Sequence, residues 1–135
     1  MRWSLLLSVV VLLGAGPGHA QDAGVATAPA KKPLREVKSL TLLYFQAAWC
    51  PSCKRLDAGG ALEAVKQAEP HLTVQVVDVD TEVPVLERYG VEVTPTLILV
   101  DADGFPLARP KVDLDDGKAT AERILQAVRK STGRR

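Results

Sequence analysis

The sequence has almost no net charge and few side chains that bind metals. Its 17 basic and 16 acidic residues nearly cancel, so nothing in the charge indicates nucleic acid or an anionic membrane as a partner. Two histidines and a single methionine, Met1, accompany only two cysteines. Because a structural zinc site usually needs four ligands, the composition predicts no zinc site, and we expect no cofactor.

The longest apolar run is short for a membrane span, which takes about 20 residues. It extends from Leu5 to Leu13, broken only by Ser8, after a positive start at Arg2. Small residues then lead to Ala20, which completes the three-part layout of a secretory signal peptide. We predict a signal peptide over residues 1–20, cleaved after Ala20, and an exported protein, periplasmic or secreted. An uncleaved membrane anchor is the alternative.

The two cysteines lie two residues apart, in the segment Trp49-Cys50-Pro51-Ser52-Cys53-Lys54. A disulfide between them closes almost no loop, so it is a poor structural staple. A strand-like apolar run precedes the pair, and a helix-like segment follows it. Because a helix N-terminus favours a thiolate, this placement indicates a redox-active dithiol. A soft-metal module, with Cu(I) held by the same two thiolates, is the alternative.

Hydrophobic periodicity predicts alternating strands and helices after a flexible lead, residues 21–32. The predicted strands are Leu40 to Phe45, Leu72 to Val79, Thr96 to Val100 and Phe105 to Arg109. The predicted helices are Pro51 to Ala68 with a break at Gly59-Gly60, Thr81 to Tyr89 capped by Thr81 and ended by Gly90, and Gly117 to Lys130. Residues 33–131 then form one domain, and residues 132–135 a disordered tail.

This order of elements predicts an α/β fold with a central mixed sheet. The first two strands, joined through a helix, should run parallel with a right-handed crossover. The last two strands should form an antiparallel C-terminal hairpin at the edge, and helices should cover both faces.

Three segments resemble the thioredoxin superfamily, within about residues 40 to 130. They are Phe45 to Lys54, Tyr89-Gly90-Val91 and Val93-Thr94-Pro95-Thr96. The resemblance implies a thioredoxin-like fold and an exported protein thiol–disulfide oxidoreductase, acting as a reductant more than as an oxidant. Disulfide-containing or dithiol proteins would be its substrates, with a membrane or exported redox partner, and we expect a monomer.

The nucleophile in this interpretation is Cys50, expected at the helix N-terminus and partly exposed. Cys53 would then close the Cys50–Cys53 disulfide and release the substrate. The resemblance implies that Trp49, Thr94 and Pro95 bind substrate, and that a cis peptide bond precedes Pro95.

Several other residues are predicted to tune the reactivity of the dithiol. Thioredoxins usually carry a buried acid at the position of Tyr44 and a lysine at that of Val76, so the group that deprotonates Cys53 is left open. Glu92 is a candidate replacement for the acid. The residues with a predicted tuning role are Tyr44 and, beside the cysteines, Pro51, Ser52 and Lys54.

Overall fold

The computed structural model describes residues 39–133. The predicted signal peptide, residues 1–20, and the lead, residues 21–32, lie outside the described residues. Within residues 39–133, no helix has both the length and the apolar character needed to cross a membrane. The elements, in chain order, are β1 (Thr41–Gln46), α1 (Pro51–Ala58), α2 (Ala61–Ala68), β2 (Thr73–Asp78), α3 (Val83–Tyr89), β3 (Thr96–Val100), β4 (Pro106–Ala108) and α4 (Gly117–Thr132).

The four described strands form one mixed sheet in the order β2-β1-β3-β4. Strand β1 pairs with β2 in parallel and with β3 antiparallel, so that Tyr44 lies between Val76 and Leu97. Strand β4 pairs with β3 antiparallel, which confirms the predicted hairpin and the mixed α/β sheet. Because β1 and β2 are parallel, their C-terminal ends meet at one edge of the sheet, and the dithiol follows β1 at this edge.

Side chains alternate between the two faces of the sheet and enter two separate clusters. On the first face, Leu42 and Tyr44 pack with side chains from α1, α2 and α4, and this cluster includes both cysteines. On the second face, Leu43 and Phe45 pack with Tyr89 of α3. Helices therefore lie on both faces, as predicted.

The single helix predicted over Pro51 to Ala68 consists of two helices, α1 and α2, which are interrupted at Gly59 and Gly60. Helix α4 comes close to this break. A Cβ atom built on Gly117 would lie 2.1 Å from the Gly59 carbonyl oxygen, a distance that no side chain can occupy. The first residue of α4 therefore has to be glycine for α4 to pack this close to Gly59.

The predicted start of α3 at Thr81 is wrong, and so is the predicted cap. The amides of Thr81 and Glu82 both donate to the Asp78 carbonyl, so Thr81 belongs to the turn that follows β2. Helix α3 begins at Val83 with no side-chain cap. It ends as predicted at Gly90, whose φ of 59° lies in the left-handed region.

The remaining boundaries differ from the predictions by one or two residues. Strand β4 extends only over Pro106–Ala108, and β2 is one residue shorter at each end. Helix α4 continues two residues past Lys130, and in its last turn the Thr132 hydroxyl donates to the Val128 carbonyl. The predicted disordered tail, residues 132–135, therefore begins within this helix, and residues 134 and 135 lie outside the described part of the chain.

Candidate active site

The dithiol lies at the N-terminus of α1, where Cys50 is the N-cap residue. The Cys53 amide donates to the Cys50 sulfur at 3.2 Å, so this sulfur occupies the place of the oxygen that usually caps a helix. Pro51, in the first turn, needs no hydrogen bond from its nitrogen. The two cysteines form a disulfide with their Cα atoms 5.3 Å apart.

Both cysteines are buried. Cys53 is 1% exposed, and Cys50 is 3% exposed. The expectation that Cys50 is partly exposed is therefore wrong for the disulfide form. The Cys50 amide donates to the Ala47 carbonyl, and the Cys50 sulfur lies beside Thr94. The turn before α1 therefore holds Cys50 against the core and not at the surface.

The loop before β3 brings Thr94 next to the Cys50 sulfur. The Thr94 hydroxyl lies 3.3 Å from the Cys50 sulfur, in position to donate a hydrogen bond. The Thr94–Pro95 peptide bond is cis, and the neighbouring Val93 is 70% exposed. Strand β3 lies beside β1 in the sheet, which explains how residues more than 40 positions apart come together.

Trp49 lies at the surface, 65% exposed, next to the buried dithiol. Its indole Nε1 donates to a carboxylate oxygen of Asp80 at 2.9 Å. Asp80 is held in turn because its amide donates to the Asp78 side chain. The indole is therefore fixed over the site by the turn that follows β2.

Tyr44 lies beneath the dithiol, 2% exposed. Its hydroxyl donates to the Cys53 carbonyl at 3.3 Å. Burial, with a further contribution from the Asp57 carboxylate, raises the pKa of Tyr44 above its ordinary value. The hydroxyl therefore stays protonated at neutral pH and acts as a donor.

The other predicted tuning residues lie around this centre with less contact. Ser52 is half-buried, while Pro51 and Lys54 are exposed on α1. Glu92 is exposed in the loop before β3. Val76, at the position implied for the lysine, is 53% exposed on β2. The structure thus brings together the two sulfurs, Thr94 and Tyr44, and leaves Lys54 and Glu92 at the surface.

Comparison with known proteins is consistent with this geometry. The family model described as thioredoxin matches residues 25–130. The chain belongs to the thioredoxin family. The match covers the whole of the described sheet and the dithiol, so the family's fold can be compared with this chain element by element.

Individual relatives match this chain over shorter stretches than the family model does. A thioredoxin of Chlamydia trachomatis is 43% identical over 60 residues, which are 44% of this chain and 57% of that protein. The mouse protein disulfide-isomerase A6 is 25% identical over 100 residues, 72% of this chain and 22% of that protein. This chain therefore spans little more than half of the chlamydial thioredoxin that it matches.

Solved structures show the same fold at low identity. The thioredoxin of Fasciola hepatica has a TM-score of 0.55 at 22% identity, over 69% of this chain and 81% of that one. Human ERp44 has a TM-score of 0.56 at 24% identity, over 69% of this chain and 26% of that one. These similarities support the thioredoxin fold alone.

Two site residues escaped the sequence interpretation. Asp80 accepts a hydrogen bond from the Trp49 indole. The signal was present, because both residues follow parallel neighbouring strands, whose C-terminal ends meet. Asp57 lies four residues after Cys53 in a predicted helix, and this spacing places two side chains on one face. Among residues 39–133, no group of three or more His, Cys, Asp or Glu side chains could hold a metal ion.

Proposed function

We propose that this protein is an exported thiol–disulfide oxidoreductase, and that its Cys50–Cys53 dithiol reduces disulfides in other proteins. The observation that carries the proposal is the surroundings of the Cys50 sulfur. It accepts the Cys53 amide at 3.2 Å and lies 3.3 Å from the Thr94 hydroxyl. Both donors favour a negative charge on this sulfur, because hydrogen bonds to the charged form lower a pKa.

The reaction begins when the Cys50 thiolate attacks one sulfur of a substrate disulfide. A mixed disulfide forms, and the other substrate sulfur leaves as a thiolate. Cys53 then loses its proton and attacks the Cys50 sulfur. The mixed disulfide breaks, the substrate leaves with its second thiolate, and Cys50 and Cys53 are joined. Two electrons have passed from the dithiol to the substrate.

The substrate would bind as an extended polypeptide across the exposed residues around the sulfur. Trp49 and Val93 are 65% and 70% exposed, and Asp80 holds the indole in place. A chain lying between them can pair with the backbone at Thr94 and Pro95, as a strand adds to a sheet edge. This surface suits disulfide-containing proteins better than small thiols, because Trp49 and Val93 offer exposed apolar side chains to a polypeptide.

The proposed direction is reduction of the substrate. It depends on the similarity to thioredoxins and on the lack of charge in the two residues between the cysteines. Pro51 and Ser52 add no charge between the cysteines. Potentials in this fold extend from about −270 mV to about −120 mV, and stabilisation of the reduced form raises them. Because the two donors at the Cys50 sulfur, the Cys53 amide and the Thr94 hydroxyl, are neutral and stabilise the thiolate less than a cation would, we propose a potential nearer the lower end.

Export is proposed from residues 1–20 alone. The charged start, the apolar run and the small residues before Gln21 fit a signal peptide. An exported dithiol needs electrons from a membrane or exported redox partner, and we propose that it works as a monomer. Mass measurement of the protein recovered after export should find Gln21 as the first residue; retention of Met1 in the membrane fraction would favour an uncleaved anchor.

The decisive experiment equilibrates the protein in glutathione redox buffers and traps its thiols for mass measurement. The chain has no other cysteine, so Cys50→Ser and Cys53→Ser each leave one thiol to follow. We expect a dithiol potential below that of an oxidase, and insulin reduction that disappears in Cys50→Ser. A potential near about −120 mV would reverse the direction. Stoichiometric copper on the purified protein, lost in either variant, with no disulfide exchange, would favour the Cu(I) alternative.

A further inference from the structure

Cys53 has to lose a proton inside an apolar cluster. It is 1% exposed and lies among apolar side chains from α2, α4 and β3. Burial of this kind raises the pKa of a thiol, yet only the thiolate can attack the mixed disulfide. The position at which the family usually has a buried acid holds Tyr44, whose hydroxyl donates a hydrogen bond and stays protonated. Another group must therefore accept the proton.

Asp57 is the acid that the fold places next to Cys53. It lies four residues further along α1, so its side chain leaves the helix on the same side, with the two Cβ atoms about 5–6 Å apart. In an α-helix the Asp57 amide bonds to the Cys53 carbonyl, which is the carbonyl that accepts the Tyr44 hydroxyl at 3.3 Å. The Asp57 carboxylate also interacts with that hydroxyl. Tyr44 thus contacts both residues.

We propose that the Asp57 carboxylate is the general base for Cys53 and that Tyr44 is its positioning residue. The proposal depends on the dithiol exchange proposed above. The proton of the Cys53 thiol passes through one solvent water to the carboxylate. The Cys53 thiolate then attacks the Cys50 sulfur, and the electron pair of the broken bond leaves with the substrate thiolate. Because Asp57 is exposed, it returns the proton directly to solvent.

The other elements around Cys53 and Tyr44 contribute apolar contacts. Side chains that α2, α4 and β3 add to this cluster include Ala61, Val65, Ala121, Ile124, Leu97 and Leu99. Strand β2 places Val76 opposite Tyr44. The charged side chains at this end of the molecule have other neighbours or are exposed. Asp78 binds the Asp80 amide, Asp80 binds Trp49, and Lys54 and Glu92 are exposed.

The test resolves the reactions of the two cysteines in time. The reduced full-length protein is mixed with the chromogenic disulfide of thionitrobenzoate in a stopped-flow instrument. Attack by Cys50 releases the first thionitrobenzoate, and attack by Cys53 on the mixed disulfide releases the second. We expect Asp57→Asn to slow the second release by at least about tenfold at neutral pH, within the usual range of a general base, and to leave the first release within about twofold.

Matched variants distinguish proton transfer from a structural effect. Asp57→Glu should restore most of the second rate, because the carboxylate is kept. Tyr44→Phe should slow the second release less than Asp57→Asn does. It should also move the pH dependence of the second release to higher pH. Glu63→Gln removes one exposed acid from the neighbouring helix α2 and should change neither phase.

The outcomes also separate this inference from the proposed function. If both releases occur and Asp57→Asn leaves the second one unchanged across neutral pH, Asp57 is not the base. A faster second release would equally overturn the proposal, because it would mean that the carboxylate only repels the thiolate. If the protein releases no thionitrobenzoate at all, the dithiol exchange and the inference both fail.

Discussion

The two buried tyrosines, Tyr44 of β1 and Tyr89 of α3, make similar hydrogen bonds in different surroundings. On the first face, the Tyr44 hydroxyl donates to the Cys53 carbonyl at 3.3 Å, beside the Asp57 carboxylate. On the second face, the Tyr89 hydroxyl donates to the Gly104 carbonyl at 2.8 Å. Tyr89 also packs edge-on against Phe45 and lies under the guanidinium of Arg88. One tyrosine therefore supports the redox helix, and the other fastens a turn.

This difference divides the domain into a chemical face and a packing face. The cluster around Tyr44 contains both sulfurs, while the cluster around Tyr89 contains only apolar and aromatic side chains. Tyr89 is further tied in place because Arg109 donates to its carbonyl. Substitutions on the second face should thus change stability and leave thiol chemistry alone, whereas those on the first face should change the chemistry.

The largest expected effect is a loss of stability from the packing face. Phe45 is fully buried, so Phe45→Ala should lower the free energy of unfolding by about 3–5 kcal/mol. Denaturant unfolding measures this loss, and Phe45→Leu provides a milder change in case the alanine variant does not fold. Val76→Ala, at a side chain 53% exposed, is the control. A changed Cys50 thiol pKa in folded Phe45→Leu would contradict the division into two faces.

On the chemical face, Thr94→Val should raise the pKa of the Cys50 thiol. The variant removes the hydroxyl that lies 3.3 Å from the sulfur and nearly keeps the shape. A hydrogen bond to a charged group contributes about 1.5–3 kcal/mol, which corresponds to roughly one to two pKa units. Because the bond favours the thiolate, its loss also makes the dithiol more reducing.

Alkylation of Cys50 as a function of pH, in the Cys53→Ser background, measures this shift. Thr81→Val, at an exposed threonine in the turn after β2, is the control. An unchanged or lower pKa in Thr94→Val would show that the hydroxyl does not act on the thiolate, and the chemical face would then depend on the helix N-terminus alone.

Much of this division could be predicted from the sequence, because it follows from local patterns. The apolar run of β1, the break after Ala58 and the turn at Gly90 each depend on neighbouring residues. The order of elements then implied the mixed sheet. What could not be predicted is the detailed hydrogen bonding, both between distant segments and within a turn. The burial of Cys50 depends on Thr94, and the start of α3 depends on which amides the Asp78 carbonyl accepts.

A smaller effect should show directly that the two tyrosine hydroxyls differ in role. Tyr89→Phe leaves the Gly104 carbonyl without its donor, and we expect stability to fall by about 1 kcal/mol. Both phases of thionitrobenzoate release should stay as in the parent protein. Thermal or denaturant unfolding measures the first quantity and stopped-flow absorbance the second. If Tyr89→Phe slowed the second release as much as Tyr44→Phe, the two hydroxyls would not differ in role.

The smallest expected change in stability is at the rim between Trp49 and Asp80. Their hydrogen bond is exposed, so Asp80→Ala should alter the free energy of unfolding by no more than about 0.5 kcal/mol. The indole, however, loses its fixed position beside the dithiol. We therefore expect the KM for insulin to rise a few-fold with kcat nearly unchanged, because a mobile side chain has to be ordered when substrate binds.

Tryptophan fluorescence shows whether this explanation holds. Of the chain's two tryptophans, Trp3 belongs to the predicted signal peptide. Protein cleaved after Ala20 therefore has Trp49 as its single reporter, and Trp3→Phe gives the uncleaved chain the same background. In that background Asp80→Ala should lower the fluorescence anisotropy of Trp49, and Asp80→Asn, which keeps a carbonyl acceptor, should change it less. A higher KM with unchanged anisotropy would mean that Asp80 contacts the substrate itself, and the rim would then recognise substrate through a charge as well as through an apolar surface.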